Sequence, residues 1–213
     1  MISIIIRNKD ESDFIGHAIQ SCIDNFKNPE IIIVDDNSQD DSDRVVSLFD
    51  NTNIKTYHLP KKYSPGYSLN YGVSKCNNKI ILVLSAHCQL TNLEGWEKRV
   101  KNQLDKYCAV FGKQTPIYRG KKITPRYIWS HFGDTQKENL FSQIEQRYFL
   151  HNAFCFYNKK FLEQNPFDEK LHGKEDRYWA IDMVKQGYNY LYDPKLKCNH
   201  FWTPRGATWK GIG

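Results

Sequence analysis

No run of apolar residues in this sequence approaches the roughly 20 that a membrane-spanning helix needs. No basic segment followed by an apolar one opens it either. Met1-Ile2-Ser3-Ile4-Ile5-Ile6 enters a strand pattern at once, so no secretion signal is expected. Long basic runs are also missing. The formal net charge of +6 is spread along the chain, with only small groups such as Lys61-Lys62 and Lys121-Lys122, which argues against a nucleic-acid-binding tail. A balance this mild suits an anionic substrate, an acidic membrane surface or an ordinary solvated exterior. The six cysteines include no CxxC pair and mostly sit inside apolar runs, as small buried thiols do. A reducing, cytoplasmic setting with free thiols is the expectation. Glycine loops that cradle phosphates are absent. The first apolar run leads into Arg7-Asn8-Lys9-Asp10-Glu11-Ser12 and not into GxGxxG, and GxxxxGK[ST] occurs nowhere. A dinucleotide site and a P-loop are thereby excluded.

What is present is enough apolar material, 40% of 213 residues, to bury one large core without disulfide staples. The 14% of aromatic residues suit that core first and a sugar-stacking surface second. Residues 2–6, 30–34, 54–59 and 79–84 read as strands, most of them buried on both faces. Helices are predicted between them: 12–25 with Ser12 or Asp13 as cap, 41–49, and 67–76 after the Ser64-Pro65-Gly66 loop. This alternation predicts an α/β fold with a mostly parallel central sheet flanked by helices. Ligands in such sheets sit beyond the carboxyl ends of the strands. Arg7-Asn8-Lys9, Asp35-Asp36-Asn37 and Ser85-Ala86-His87 are therefore the segments of interest. The second half is less regular. It predicts a helix over 96–106, a strand over 109–113, an excursion over 120–138 and a strand over 153–157. A short helix over 159–163, a helix over 175–186 stopped by Gly187, and a last strand over 188–192 follow. Residues 199–213 form a tail rich in aromatic, basic and glycine residues.

Three groups of residues have the chemistry of a site. Asp35 and Asp36 follow a buried strand, where carboxylates either accept hydrogen bonds from a base and a ribose or cap the next helix. Glu175 and Asp176 open a predicted helix after Gly173. Their charge either complements the helix dipole or serves a reaction, since an ionised carboxylate at a pocket rim accepts a proton from an attacking hydroxyl. His87 stands after the fourth strand, with Cys88, Cys198 and His200 elsewhere. Their spacings match no familiar zinc site, so His87 is either a structural imidazole or one ligand of a different ion.

In combination these segments resemble the family 2 glycosyltransferases, inverting enzymes of the GT-A nucleotide-diphospho-sugar transferase fold. ISIIIRNKDE resembles the family's first strand and nucleotide loop, and EIIIVDDNSQDDS its VDDxSxD segment. SPGYSLNYGVSKCNNKIILVLSAHC resembles the donor-side helix, strand and metal motif. NAFCFYNKKFLEQNPFDEKLHGKEDRYWAIDMVKQGY resembles the acceptor half with its terminal ED. The resemblance spans most of residues 1–192. It implies a single domain over 1–213, with a nucleotide-sugar-binding half at 1–90, an acceptor half at 91–198 and a tail at 199–213 that closes over the donor. By position, Asp36 contacts the nucleotide base with Asp35 in support, Arg7 and Asn8 flank base or ribose, and Asn70 and Ser85 complete the donor side. Asp176 is the implied catalytic base, with Glu175 beside it. The implied activity is that of a hexosyl- or deoxyhexosyltransferase. It carries sugar from a nucleotide-diphosphate sugar to a glycan or lipid-linked glycan in cell-surface polysaccharide biosynthesis, with no nucleic-acid partner.

One departure matters. The family's DxD motif reads Ser85-Ala86-His87 here, so both acids are gone. The resemblance implies His87 and His200 as ligands of a divalent metal, Mn or Mg. The alternative is metal-independent chemistry, in which tail residues such as Arg205 and Lys210 neutralise the diphosphate. The lost acids also keep open a catalytically impaired descendant that binds glycans or a partner. Peripheral attachment to the inner face of the membrane through the aromatic, basic tail is a further expectation.

Overall fold

A computed structural model describes residues 1–50, 53–91, 93–118, 127–204 and 206. The first half runs β1 (Ile2–Asn8), α1 (Ser12–Asn25), β2 (Glu30–Asp35), α2 (Ser42–Ser47), β3 (Ile54–His58), α3 (Pro65–Lys75), β4 (Ile80–Ser85). The second half runs β5 (Cys88–Leu90), α4 (Trp96–Leu104), β6 (Ala109–Ile117), a 3-10 turn (Tyr127–His131), β7 (Lys137–Glu138), β8 (Phe141–Ser142), β9 (Arg147–Tyr148), β10 (Phe154–Asn158), α5 (Lys159–Gln164), α6 (Glu175–Lys185), β11 (Leu191–Phe201).

The main sheet has the order β3-β2-β1-β4-β10-β6-β11-β5, with β7 beside β11. Strands β3, β2, β1 and β4 are mutually parallel, as the alternation predicts. Strand β10 then enters antiparallel between β4 and β6, and β11 runs parallel to β6. Both faces of the parallel part are covered, which is why its strands read as unbroken apolar runs. Ile5, Ile32, Val34, Ile81 and Val83 pack with Leu69, Val73, Trp179 and Met183 of α3 and α6. The alternate residues Ile4, Ile6, Ile31, Ile33 and Leu82 pack with Ile15, Ala18, Ile19 and Val100 of α1 and α4. Gly72 lets α3 lie close on the sheet. A Cβ there would stand 2.8 Å from a methyl of Ile5. Burial of this kind contributes about 25 cal/mol per Å² of apolar surface.

Helix ends follow local chemistry. Ser64 caps α3 by accepting from the Tyr67 N–H at 3.2 Å, and Pro65 occupies the first helical position, so α3 starts two residues before the predicted 67. Helix α6 closes in a Schellman turn. Gly187, at φ +86°, donates to the Val184 carbonyl, and Tyr188 donates to that of Met183. The predicted side-chain cap of α1 by Ser12 or Asp13 is replaced. Asp40, from the loop after β2, accepts from the Ser12 N–H at 2.8 Å and also from Ser42 at the start of α2. The last strand is the largest difference from the sequence reading. It spans Leu191–Phe201 and not 188–192, because Leu196, Cys198 and His200 alternate inward past an irregularity between Asp193 and Lys197. All six cysteines are buried and unpaired. Among the described residues no helix is long and apolar enough to cross a membrane.

Candidate active site

A cleft of about 610 Å³ opens at the carboxyl ends of β1, β2 and β4. Arg7, Asn8, Lys9 and Glu11 line it from the end of β1, Asp36 from β2, and Ser85 and His87 from β4. The opposite wall comes from His151-Asn152-Ala153 before β10 and from residues 172–177 at the start of α6. Seven residues expected from the sequence thus meet in one place: Arg7, Asn8, Asp36, Ser85, His87, Glu175 and Asp176. Asp35, Asn70 and His200 stand outside this lining, and Arg205 and Lys210 lie outside the described residues.

The two adjacent aspartates divide their work. Asp35 is buried and accepts from Asn8 Nδ2 at 2.7 Å, the Ser38 N–H at 2.8 Å and the Ser38 hydroxyl at 2.6 Å. His58 Nδ1 lies 3.2 Å from its second oxygen. Burial alone would raise its pKa, but these hydrogen bonds outweigh it and hold the carboxyl below its ordinary value. Asp35 therefore shapes the turn that presents Asp36. Asp36 itself is half-buried at the cleft wall. Burial raises its pKa, Lys9 opposes the rise and Asp35 adds to it. Lys9 ties the two loops together by donating to the carbonyls of Asp36 and Asn37 at 2.6 and 2.9 Å. Asn70, expected on the donor side, instead pins the segment ahead of α6. Its amide donates to the Phe167 carbonyl and to Glu169, and accepts from the Phe167 N–H.

The acidic pair at the start of α6 is buried and heavily engaged. Lys174 precedes it in the left-handed region at φ +58°, an uncommon conformation for a residue with a Cβ, and its Nζ lies 3.4 Å from Glu145. Asp176 Oδ2 accepts from the Asn152 N–H at 3.0 Å and from Arg177 Nη1 at 2.7 Å, while Oδ1 accepts from the Arg177 N–H at 2.8 Å. A carboxylate offers about four lone-pair positions, so these bonds occupy three. Arg177 is itself fixed by the Leu150 carbonyl and by the Phe149 ring 4.2 Å beneath its guanidinium. Glu175 Oε1 pairs with Arg7 Nη1 at 3.1 Å. Burial pushes the Glu175 carboxyl up, Arg7 opposes this, and the charge of Asp176 reinforces it. Asn152 joins the set from behind, its Oδ1 accepting from the buried Tyr157 hydroxyl at 2.6 Å. Asn152 and Arg177 are site residues that the sequence reading missed. The one signal was a polar His151-Asn152 pair directly ahead of the apolar-rich run Ala153–Tyr157.

At the far end of the cleft, three side chains cluster. His87 Nδ1 lies 3.2 Å from Glu11 Oε1, and the His87 ring centre lies 4.9 Å from that of His200. His200 is fully buried behind His87, with Nδ1 2.8 Å from Gln114 Oε1, and Gln114 Nε2 lies 3.1 Å from His151 Nδ1. Burial keeps both His200 and His151 well below the ordinary histidine pKa and hence neutral, reinforced at His200 by the neighbouring imidazoles and at His151 first by the charges of Arg177 and Arg7. Glu11 Oε2 and His87 Nδ1 are buried without a well-aligned hydrogen bond. Among the described residues no three His, Cys, Asp or Glu side chains stand together so that they could hold a metal ion, and this cluster does not by itself fit one.

The sequence model of the family described as Glycosyl transferase family 2 matches residues 3–165, a span that holds the ends of β1, β2 and β4 and stops short of Asp176. Over 200 residues the chain is 25% identical to the Campylobacter jejuni GalNAc(5)-diNAcBac-PP-undecaprenol beta-1,3-glucosyltransferase, covering 90% of this chain and 62% of that relative. Among solved structures, S. aureus TarS 1-349 in complex with UDP-GlcNAc superposes with a TM-score of 0.73 at 18% identity, over 100% of this chain and 61% of that one. GalNAc-T7 with UDP, GalNAc and Mn2+ superposes with a TM-score of 0.73 at 15% identity, over 97% of this chain and 44% of that one. The chain thus spans less than two thirds of the length of each protein. At these identities the structural likeness shows the fold alone, which is the GT-A fold.

Proposed function

The chain belongs to glycosyl transferase family 2, and on that premise we propose that it transfers a sugar from a nucleotide-diphosphate donor to a hydroxyl of a glycan or lipid-linked glycan, with inversion. The observation that carries this reading is the opposition of Asp36 and Asp176 across one cleft at the ends of parallel strands. On the donor side, Asp36 accepts hydrogen bonds from the nucleoside while Asn8 and Lys9 keep its loop in place. On the acceptor side, the fourth lone-pair position of Asp176, on Oδ1, takes the proton of the attacking hydroxyl. Arg177 and Asn152 hold the other oxygen, so the carboxylate cannot turn away. General-base assistance of this kind is worth about 10²–10⁴ in rate. The hydroxyl oxygen bonds to the anomeric carbon as the bond to the diphosphate breaks on the opposite face, which inverts the configuration. His87 and His200 are the ligands the resemblance implies for a divalent ion, Mn or Mg, but among the described residues no three His, Cys, Asp or Glu side chains could hold one; the alternative is that cationic side chains neutralise the leaving diphosphate.

The relative named for a PP-undecaprenol-linked glycan supports a lipid-linked acceptor, and the UDP-GlcNAc complex of TarS supports a nucleotide-sugar donor. A cytoplasmic site with attachment to the inner membrane face goes with such an acceptor. The test is a thermal-shift panel of UDP, GDP, dTDP and CMP compounds with and without Mn²⁺, followed by transfer assays with the donor class that stabilises the protein. No shift with any nucleotide would defeat the reading.

A further inference from the structure

We propose that Glu145 is a positioning residue for transfer: it holds Arg177 so that the guanidinium meets one oxygen of Asp176 and leaves the other open to the acceptor hydroxyl. The inference rests on the reading of Asp176 as the base.

Glu145 stands in the turn between β8 and β9 and lines the cleft together with residues 172–177. Its side chain is 4% exposed. The turn is anchored from two directions. The Glu145 N–H donates to Ser142 Oγ at 2.9 Å, and His131 Nε2 lies 2.7 Å from the same oxygen. Arg147 of β9 sets its guanidinium 5.5 Å from the centre of the Tyr178 ring on α6. From this turn one carboxylate reaches both cations that flank the acid pair. Oε2 lies 3.4 Å from Lys174 Nζ, and Oε1 lies 3.7 Å from Arg177 Nη2. Arg147 Nε, 4.0 Å from Oε2, adds a third positive charge. A carboxylate taken this far out of water needs such charges around it.

The consequence falls on Arg177. An arginine beside a carboxylate tends to clasp both oxygens with two parallel N–H bonds. Here it does not. Nη1 spends its two protons on Asp176 Oδ2 at 2.7 Å and on the Leu150 carbonyl at 2.8 Å. Nη2, the terminal nitrogen left for a clasp on Oδ1, faces Glu145 instead. Oδ1 accepts from the Arg177 N–H at 2.8 Å and keeps a position for the incoming proton. The plane of the guanidinium is fixed as well. The Phe149 ring lies 4.2 Å from it and stacks on the His131 ring at 4.0 Å and 8°. His131 leads back through Ser142 to Glu145, so the support closes on itself. Removing the Glu145 charge frees Nη2 to swing toward Asp176, whose second oxygen is then engaged before the acceptor hydroxyl arrives. Glu145 acts through Arg177 and not on the reacting atoms.

The experiment compares wild type with Glu145→Gln, Glu145→Asp, Asp176→Asn and the double variant of Glu145→Gln with Asp176→Asn. The probes are the nucleoside diphosphate and sugar nucleotide of the base that stabilises the protein in the panel above, with water standing in for the acceptor. Glu145→Gln should bind the nucleotide within about twofold of wild type and lose about tenfold to a hundredfold in kcat, the scale of a misplaced reacting group. Glu145→Asp keeps the charge and should retain more of the turnover. In the Asp176→Asn background Glu145→Gln should cost nothing further, because the group it positions is gone. A merely structural carboxylate would lower kcat by the same factor in both backgrounds. A crystal structure of Glu145→Gln should show Arg177 on both oxygens of Asp176. If Glu145→Gln failed to fold, Glu145→Asp would be carried through the same cycle. Wild-type kcat in Glu145→Gln beside an inactive Asp176→Asn, equal losses in both backgrounds, or an unmoved Arg177 would overturn the proposal. Near-full turnover in Asp176→Asn would instead defeat the reading of Asp176 as the base, and the role of Glu145 with it.

Discussion

Arg7 Nη1 and Glu175 Oε1, 3.1 Å apart, join the end of strand β1 to the start of helix α6 across the floor of the cleft. The pair couples the half of the chain that carries Asp36 to the half that carries Asp176. It also balances a carboxylate that burial drives toward its neutral form.

That balance makes a prediction for Arg7→Ala. Breaking a buried ion pair from one side costs about 3–5 kcal/mol, and less where one partner keeps some solvent contact, as Arg7 does. The loss should depend on pH. A carboxyl whose folded pKa is raised binds its proton more readily in the folded state, so its contribution to stability declines as pH rises from about 4.3, the ordinary glutamate value, through the folded value. Removing Arg7 takes away the charge that opposes this rise. The gap in melting temperature between wild type and Arg7→Ala should therefore be wider at pH 7 than at pH 4. Equal gaps at both would show that Arg7 does not support a charged Glu175.

The neighbours Asp35 and Asp36 should respond in opposite ways. Asp35→Asn should lose roughly 2–4 kcal/mol at neutral pH, because several hydrogen bonds to a charged acceptor are lost or weakened. Wild type carries this contribution above about pH 3.9 and loses it as pH falls through the lower folded value, so the two proteins should converge in acid. Asp36→Ala should leave the melting curve nearly unchanged while weakening calorimetric binding of a nucleoside diphosphate. A wild-type affinity in Asp36→Ala would move the donor site elsewhere.

Much of this was legible in the sequence where one physical constraint dominates. Strands β1, β2 and β4 are buried on both faces, so they had to be apolar throughout, and the residues that follow them had to sit at the cleft. Glu175 and Asp176 announced a helix start. The second half was harder to read. Strand β11 carries Asp193-Pro194-Lys195, which resembles a turn, although Leu196, Cys198 and His200 continue the inward alternation. Asn70 has the residue type of a donor ligand, and only the fold shows its amide spent on Phe167 and Glu169. Glu11 was hidden for the complementary reason. No spacing relates it to His87; the return of β4 beside β1 brings them together.

Asp176→Asn is the sharpest test of the chemistry. The substitution keeps the size of the side chain and removes the proton acceptor. It also turns one oxygen into an N–H₂ group that cannot accept, so an amide that keeps its oxygen at the Oδ2 position retains the Asn152 N–H and Arg177 Nη1 and forgoes the Arg177 N–H. Arg177 is buried and keeps the Leu150 carbonyl and the Phe149 ring, which should preserve the fold at reduced stability. Donor binding should survive, because Asp36 and Asn8 lie on the opposite wall. Transfer should fall by more than about a hundredfold, the scale of lost general-base catalysis. Measuring nucleotide affinity and turnover on the same preparation, below its melting transition, separates the two effects. Near-full turnover in Asp176→Asn would mean that another group takes the proton, and Glu175, held beside it and tied to Arg7, would be the next to replace.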